Sequence, residues 1–391
     1  MGIRRALGTL LAGLLLAGLG AVARPAAAQG VADVFTVRDV AVDVTAETAA
    51  AAREAAHAEG HVIAMQRLLT RLLPKAELAQ LAPLEAGEVA ELVKDFEVAD
   101  ERTSDVRYLA KLTFRFKPKA VRQFLRAAGL AHAETHSKPV VVLPVYGPAE
   151  VARLWEDSNP WWRTWATRPP GDWLVPLIVP LGDLGDIATV TPEHALAGDL
   201  ERLSKLARRY GAEDVLITQA VLLGEPEIGL ASLQVGTSRL GRRQHSTIIE
   251  NYAQEPGETL SDLLARAADA VAAEAQESWK QRNLLRPGAQ RRITVTVPLR
   301  GLADWLEIKK RLAGVAGVQR AEVTLLSRAE TEMDITFVGD EQQLMLAMAQ
   351  SDLDLSFDQT AGWRLQISGV EQQLAPAAGA AAPAQRAPAS E

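Results

Sequence analysis

The sequence contains no cysteine among its 391 residues. This absence excludes disulfides, thiol nucleophiles and lipid attachment at a cysteine, so the fold must be stabilised by burial of apolar side chains. Aromatic residues are also scarce, at 5% of the chain. Five of the eight tryptophans nevertheless lie between positions 155 and 173, which makes that segment the least ordinary part of the sequence.

Long apolar runs are missing after the N-terminal region, and a membrane-spanning helix takes about 20 apolar residues. We therefore expect no integral membrane segment after signal cleavage. A surplus of positive charge is missing as well, since the net charge is −7. That sign disfavours binding to phosphate backbones, so we expect no nucleic-acid partner. The short basic run at Arg239, Arg242 and Arg243 surrounds Gly241 and predicts a solvated hairpin turn.

Motifs of common enzymes and cofactor sites are absent too. The chain has no Gly-x-Ser-x-Gly elbow, no P-loop and no Gly-x-Gly-x-x-Gly turn. Histidines spaced by four occur at His57 and His61 and at His132 and His136, but neither pair has the order of the zinc motif His-Glu-x-x-His. We interpret these histidines as boundary or solvated residues, and we predict no metal, no cofactor and no catalytic residue.

The N-terminus has the three parts of an export signal. Two arginines precede an apolar stretch at 6–19, and small residues at 26–28 fit a cleavage site. The apolar stretch, of about 14 residues, is shorter than a spanning helix, which favours a cleaved leader over an uncleaved anchor. We therefore predict that residues 1–28 are a signal peptide cleaved near Ala28 and that the mature protein is periplasmic.

The periodicity of apolar residues predicts an α+β fold of three small α/β units with mixed sheets. The first unit, residues 31–130, combines an alternating strand at 34–44 with a helix that Thr45 caps and Pro74 ends. The polar segment that follows, 131–138, is predicted to be a linker.

The middle unit, residues 138–286, contains a continuous apolar run at Val140–Val145, which predicts a strand buried on both faces. The third unit, residues 291–370, has the order β-α-β-β-α-β, which predicts a ferredoxin-like arrangement. The remaining residues, 371–391, are rich in alanine and proline and predict a disordered tail.

The middle unit resembles known envelope domains. The residues that carry the resemblance are the strand Val140–Pro144, the segment Tyr210–Ile217, a hairpin and a long closing helix. This β-α-β-β-β-α order is similar to the TolB N-terminal-like and curli-secretion-like domains of periplasmic proteins. With its leader, the whole chain resembles a proteobacterial periplasmic family known only as a domain of unknown function. The resemblance implies a location and an architecture, and TolB-like domains usually bind other envelope proteins.

The tryptophan-rich segment is the candidate partner-binding site. Tryptophan is apolar with one hydrogen-bond donor and is enriched in interface hot spots. We expect the adjacent pair, Trp161 and Trp162, to form an exposed anchor, because neighbours in a helix or strand cannot both face one core. The alternative is that this connection folds over the sheet and buries its indoles as a lid. The candidate residues are Trp155, Trp161, Trp162 and Trp165.

These observations favour a non-catalytic, soluble periplasmic protein that serves as a binding or scaffold module for an envelope protein or a cell-wall partner. The alternative is a periplasmic hydrolase that acts on glycan or peptide. The alternative predicts a cleft in which tryptophans lie beside two carboxylates, or beside one carboxylate and His194 or His245.

Overall fold

The computed structural model describes residues 34–369, apart from positions 170, 242, 243, 287, 289, 328 and 329. The predicted signal peptide and the predicted tail lie outside the described residues, as do Arg242 and Arg243. The described chain forms helices and three sheets, which confirms the α+β class. We call the parts that contain these sheets the N-terminal, middle and third domains. Within the described ranges, no helix is both long enough and apolar enough to cross a bilayer.

The N-terminal domain packs a long helix on an antiparallel sheet. The strand order is β1-β3-β2, and β3 separates the other two strands, which run in the same direction. The prediction of a mixed sheet is therefore wrong for this domain, because β1 and β2 run parallel but do not pair with each other. The elements are β1 (Thr36–Thr45), α1 (Ala49–Leu72), α2 (Lys75–Leu78), α3 (Ala86–Leu92), β2 (Val93–Thr103), β3 (Arg107–Phe116) and α4 (Pro118–Ala127).

Helix α1 lies close against β3. Thr48, rather than Thr45, caps the helix, since its hydroxyl accepts a hydrogen bond from the Ala51 N–H at 3.2 Å. Gly60 permits the close approach, because a Cβ atom at this position would lie only 2.7 Å from Leu112 Cδ1. The helix and the sheet thus share one apolar core.

The middle domain has a mixed sheet with the order β5-β4-β6-β7-β8. β4 runs parallel to β5 and β6, whereas β6, β7 and β8 are antiparallel neighbours. The elements are β4 (Val140–Tyr146), α5 (Pro160–Thr167), β5 (Leu177–Ile178), α6 (Leu184–Thr189), α7 (Pro192–Leu196), α8 (Leu200–Arg209), β6 (Asp214–Glu225), β7 (Leu230–Gly241), β8 (Gln244–Ala253) and α9 (Leu260–Arg282).

β4 is buried on both faces, which confirms the prediction from its sequence. Val140 and Val142 belong to the core formed with α5 and α9. Val141 and Leu143 belong to a second core, formed with α8 on the opposite face. Helices therefore cover both sides of β4, as a continuous apolar strand requires.

The third domain keeps only part of the predicted ferredoxin-like arrangement. Its sheet order is β10-β11-β9-β13-β12, and β11 lies between β9 and β10 as in a split βαβ unit. The prediction is wrong beyond β9, because β12 and β13 form a hairpin and β13 pairs with β9 in parallel. The elements are β9 (Arg291–Pro298), α10 (Leu302–Leu312), β10 (Val318–Leu326), β11 (Glu330–Phe337), α11 (Glu341–Gln350), β12 (Leu353–Asp358) and β13 (Gly362–Ile367).

Residues 131–138 form a buried connecting segment rather than a solvated linker. The Ala133 N–H donates to the carbonyl of Leu72, the last residue of α1, at 2.8 Å. The Ser137 N–H donates to the Leu174 carbonyl of the middle domain at 2.7 Å. The backbone of this segment therefore joins two domains. Its buried residues are Ala131, Ala133, Glu134, Thr135 and Ser137.

Two charged side chains of the connecting segment reach the third domain. The Glu134 carboxylate accepts a hydrogen bond from Arg122 Nε at 2.7 Å and another from the Gly317 N–H at 3.3 Å. The Lys138 ammonium group lies 2.7 Å from the Asp352 carboxylate. The same eight-residue stretch thus contacts all three domains.

Lys280 of α9 binds the carbonyl groups at the C-terminal end of α1. Its buried ammonium group donates to the carbonyls of Thr70 at 3.1 Å and Leu73 at 2.7 Å. The Glu277 carboxylate lies 3.0 Å from the same group and also accepts from the Lys75 N–H. A cation here is favourable because the last carbonyls of a helix lack intrahelical partners.

Replacement of Lys280 by methionine removes the ammonium group and keeps most of the side-chain volume. We expect Lys280→Met to lower the free energy of unfolding by about 3 kcal/mol, because two carbonyls lose their hydrogen-bond donor and the Glu277 carboxylate loses its cation. Chemical denaturation measures the change. The control is Lys309→Met on the exposed face of α10, which changes stability by less than about 0.5 kcal/mol. Equal effects of the two substitutions contradict the role assigned to Lys280.

Candidate functional site

The tryptophan-rich segment folds over the middle sheet as a lid. Trp161 is fully buried, and its indole Nε1 donates to the Thr218 carbonyl of β6 at 3.0 Å. Trp165 is buried as well, with its ring edge-to-face against Trp161 at a centroid distance of 5.8 Å. Both indoles belong to the core shared by α5, α9 and the sheet.

The expectation that Trp161 and Trp162 form an exposed anchor is wrong for Trp161. Asn159 caps α5 by accepting from the Trp162 N–H at 2.9 Å, and this start turns Trp161 toward the core. Trp162 is half-buried. Trp155 is also half-buried and donates to the Val190 carbonyl at 2.7 Å. Of the four candidate tryptophans, only these two keep part of their surface accessible.

A cleft of about 580 Å³ lies between the middle and third domains. One wall comes from the connecting segment, β6, β7 and α9, and the other comes from α11, β12 and β13. We call it the interdomain cleft. Its charged lining residues are Lys138, Glu213, Asp214, Arg239, Arg282 and Asp354.

Arg239 is the central cation of the interdomain cleft. The prediction of a solvated turn is wrong for this residue, which is only 6% exposed. Its guanidinium group donates to the Asp214 carboxylate at 3.0 and 2.7 Å. The same group lies over the ring of Trp279, 5.8 Å from its centroid, in a cation–π arrangement. Pairing and stacking together fix the orientation of Arg239.

Arg282 and Lys138 place two further cations around Arg239. Burial, together with the positive charge of Arg239, lowers the pKa of Arg282. Hydrogen bonds to Asp352 and Glu213 outweigh burial and raise the pKa of Lys138. Both groups keep their charge at neutral pH, because the ordinary pKa values of arginine and lysine lie far above that range. The cleft therefore offers fixed charges of both signs.

A smaller depression adjoins the interdomain cleft and shares Arg239 and Arg282 with it. Its apolar lining comes from the middle sheet and α9 and consists of Leu216, Ile248, Val271 and Ala275. Because Ile248 belongs to β8, the depression connects the charged cleft to the edge of the middle sheet. We call it the apolar depression.

Strand β8 is that edge. It pairs with β7 along its full ten residues without a register shift, and no other strand in the described chain pairs with its free side. Ile249 is 65% exposed and Ile248 is 42% exposed. The strand contains no lysine and no proline, which are the residues that commonly block addition of a further strand at such an edge.

The four histidines of the two spaced pairs are half-buried. His57 and His61 are half-buried and contact the rings of Phe96, Tyr108 and Phe114 edge-on. His132 and His136 are half-buried in the connecting segment. No group of three metal-ligating side chains occurs in the described part of the chain.

The carboxyl groups lie beside cations and helix starts. Each aspartate or glutamate of the described residues whose pKa is shifted has a lowered pKa. A general acid for glycan hydrolysis needs the opposite shift. His194, a residue of the hydrolase alternative, accepts the Thr191 N–H at 3.2 Å in the cap of α7.

Comparison of the chain with protein-family models, curated proteins and solved structures gives no match. The resemblance to TolB-like domains therefore stays an expectation from the sequence. The fold and the clefts rest on the contacts described above.

Sequence reasoning does not identify three residues that line the interdomain cleft: Lys138, Trp279 and Arg282. A usable signal exists in α9, where an alanine-rich stretch gives way to large polar and aromatic residues at 276–282. Such a change marks the part of a helix that leaves a close-packed core and meets charged neighbours.

The half-buried histidines make stability depend on pH. Burial is the main cause that lowers the pKa values of His57, His132 and His136 below the ordinary value of 6.5. As the pH falls through that value, the unfolded chain therefore binds more protons than the folded chain does. The free energy of unfolding decreases as a result. We expect a lower free energy of unfolding at about pH 5.5 than at about pH 7.5.

The double variant His132→Asn/His136→Asn separates this effect from other titrations. Denaturation curves at both pH values should show a smaller difference for the variant than for the wild-type chain. If the wild-type chain is equally stable at both pH values, or more stable at the lower one, the lowered pKa values of the histidines are contradicted.

Proposed function

We propose that this protein is a non-catalytic periplasmic binding module that adds an extended segment of an envelope protein to the edge of its middle sheet. Strand β8 is the docking edge, and the partner segment pairs with its free main-chain groups. The interdomain cleft and the apolar depression receive side chains of the partner next to that edge. Main-chain pairing supplies affinity in this mode of recognition, and adjacent pockets supply specificity.

The observation that carries the proposal is the open edge of β8. A strand of ten residues with a regular register presents a row of donors and acceptors for a further strand. Proteins normally protect such edges with lysine, proline or a bulge, and β8 has none of these. The exposed Ile249 adds an apolar contact on one face of the new strand.

The charges beside the edge suit a partner segment with polar residues of both signs. Arg239 and Arg282 line both the interdomain cleft and the apolar depression, so they lie between the charged and the apolar surface. Asp214 holds Arg239 in place, which reduces the ordering that binding requires.

The periplasmic location rests on the sequence. The predicted leader supports export, and the lack of cysteine fits a protein that needs no oxidative folding in that compartment. The hydrolase alternative has less support, since the shifted carboxyl groups are held as anions and the four candidate tryptophans do not line the interdomain cleft.

Site-specific photocrosslinking tests the proposal. A photoreactive amino acid at Ile249, introduced in cells and followed by mass spectrometry, should join the protein to a segment of another envelope protein. The matched control is the same amino acid at Leu223, an apolar residue of the interior strand β6 that is 49% exposed. We expect a heterologous adduct at Ile249 and none at Leu223.

A charged edge should abolish the interaction. Ile249→Lys removes the apolar contact and places a charge on the edge. We therefore expect that photoreactive groups elsewhere on β8 no longer crosslink to the partner. Leu223→Lys should leave these crosslinks intact. Equal adducts at both positions, or an adduct only with a second copy of this chain, contradict the proposal.

A further inference from the structure

A second cleft, of about 470 Å³, lies between helix α4 and the third domain. Its walls come from α4, from the connecting segment, and from residues at the start of β10 and after β11. We call it the α4 cleft. It shares no lining residue with the interdomain cleft or the apolar depression.

Helix α4 turns one polar face toward this cleft. The lining residues Lys119, Arg122, Gln123 and Arg126 are separated by three, four and seven positions from the first, which places them on one side of a helix. Arg286 adds a cation from outside the helix. Five long side chains with several N–H donors therefore surround the same space.

The charge of the α4 cleft is opposite to that of the chain. Four of its lining residues are cationic and one, Glu134, is anionic, whereas the whole chain has a net charge of −7. Glu134 is already bound to Arg122 and to the Gly317 N–H. Lys119, Arg126 and Arg286 are exposed to solvent and make no ion pair within the described residues, so they are available to a ligand.

His132 also lines this cleft. Its Nε2 atom lies 4.0 Å from the Glu134 carboxylate.

We propose that the α4 cleft binds a small ligand that carries phosphate groups and at least two negative charges. Guanidinium groups bind phosphate through paired, charge-assisted N–H donors, and Arg126 and Arg286 provide two such groups without carboxylate partners. The Lys119 ammonium group adds a third cation. The volume lies within the range of about 300–1,000 Å³ typical of small-molecule sites. The phosphate comes from a soluble phosphorylated compound or from a lipid headgroup.

Calorimetric titration of the full-length mature protein with inorganic pyrophosphate at low salt tests the proposal. We expect saturable binding that weakens as the salt concentration rises, because salt screens exposed charges. The variant Arg126→Glu/Arg286→Glu should lose about a hundredfold in affinity, since each arginine contributes about tenfold through charged hydrogen bonds.

The control variant Lys205→Glu/Lys309→Glu makes the same change in net charge at exposed positions outside the cleft. It should bind pyrophosphate as the wild-type chain does. Thermal unfolding checks that both double variants keep their fold, which is expected because neither pair of residues makes an ion pair within the described residues.

Flotation with phosphatidylglycerol vesicles distinguishes the two sources of phosphate. Vesicle binding that the Arg126→Glu/Arg286→Glu variant loses assigns the cleft to a lipid headgroup, and pyrophosphate binding without vesicle binding assigns it to a soluble compound. Absence of pyrophosphate binding by the wild-type chain overturns the proposal. Equal affinity of the wild-type chain and the cleft variant also overturns it. Neither result depends on the docking of a protein at β8.

Discussion

The burial of the connecting segment, residues 131–138, is the constraint on which the structure depends. Its backbone donates hydrogen bonds to two domains, and its two charged side chains bind groups of the third. Polar groups are costly to bury unless each finds a partner, so the segment fits only when all three domains supply theirs. Lys280 adds a contact of the same kind between α9 and the end of α1.

The clefts follow from this arrangement because their walls belong to different domains. The interdomain cleft lies between α9 and α11, and the α4 cleft lies between α4 and β10. Lys138 and Glu134, four positions apart in the connecting segment, each line one of them. A segment that fixes the domains therefore also fixes the distance between the charges of each cleft, which is what preorganised binding requires.

The sequence predicts those parts of the fold whose signal is local. The segment Val140–Val145 contains only apolar residues, and its side chains belong to two cores. Its burial on both faces is confirmed. Arg239 and Thr135 could not be placed, because their partners, Asp214 and Trp279, lie 25 and 144 positions away. A polar residue reads as solvated until a distant partner is known, and this also explains why the connecting segment resembles a linker.

The position of the tryptophan-rich segment also could not be predicted from local sequence. A cluster of large aromatic residues suits an interface or a core equally well, and only the position of the Thr218 carbonyl decides that Trp161 belongs to the core. The proposed binding surfaces lie instead at a sheet edge and in two clefts, whose residues are distant from one another in the sequence.

Native-state amide hydrogen exchange of the connecting segment tests the central claim most directly. If the segment is buried and hydrogen-bonded to the domains, the amides of Ala133 and Ser137 exchange within about tenfold of the amide of Val142 in the core strand β4. Exchange of these two amides at the rate of an unstructured peptide, while Val142 stays protected, would show that the segment is a solvated linker and would contradict the account.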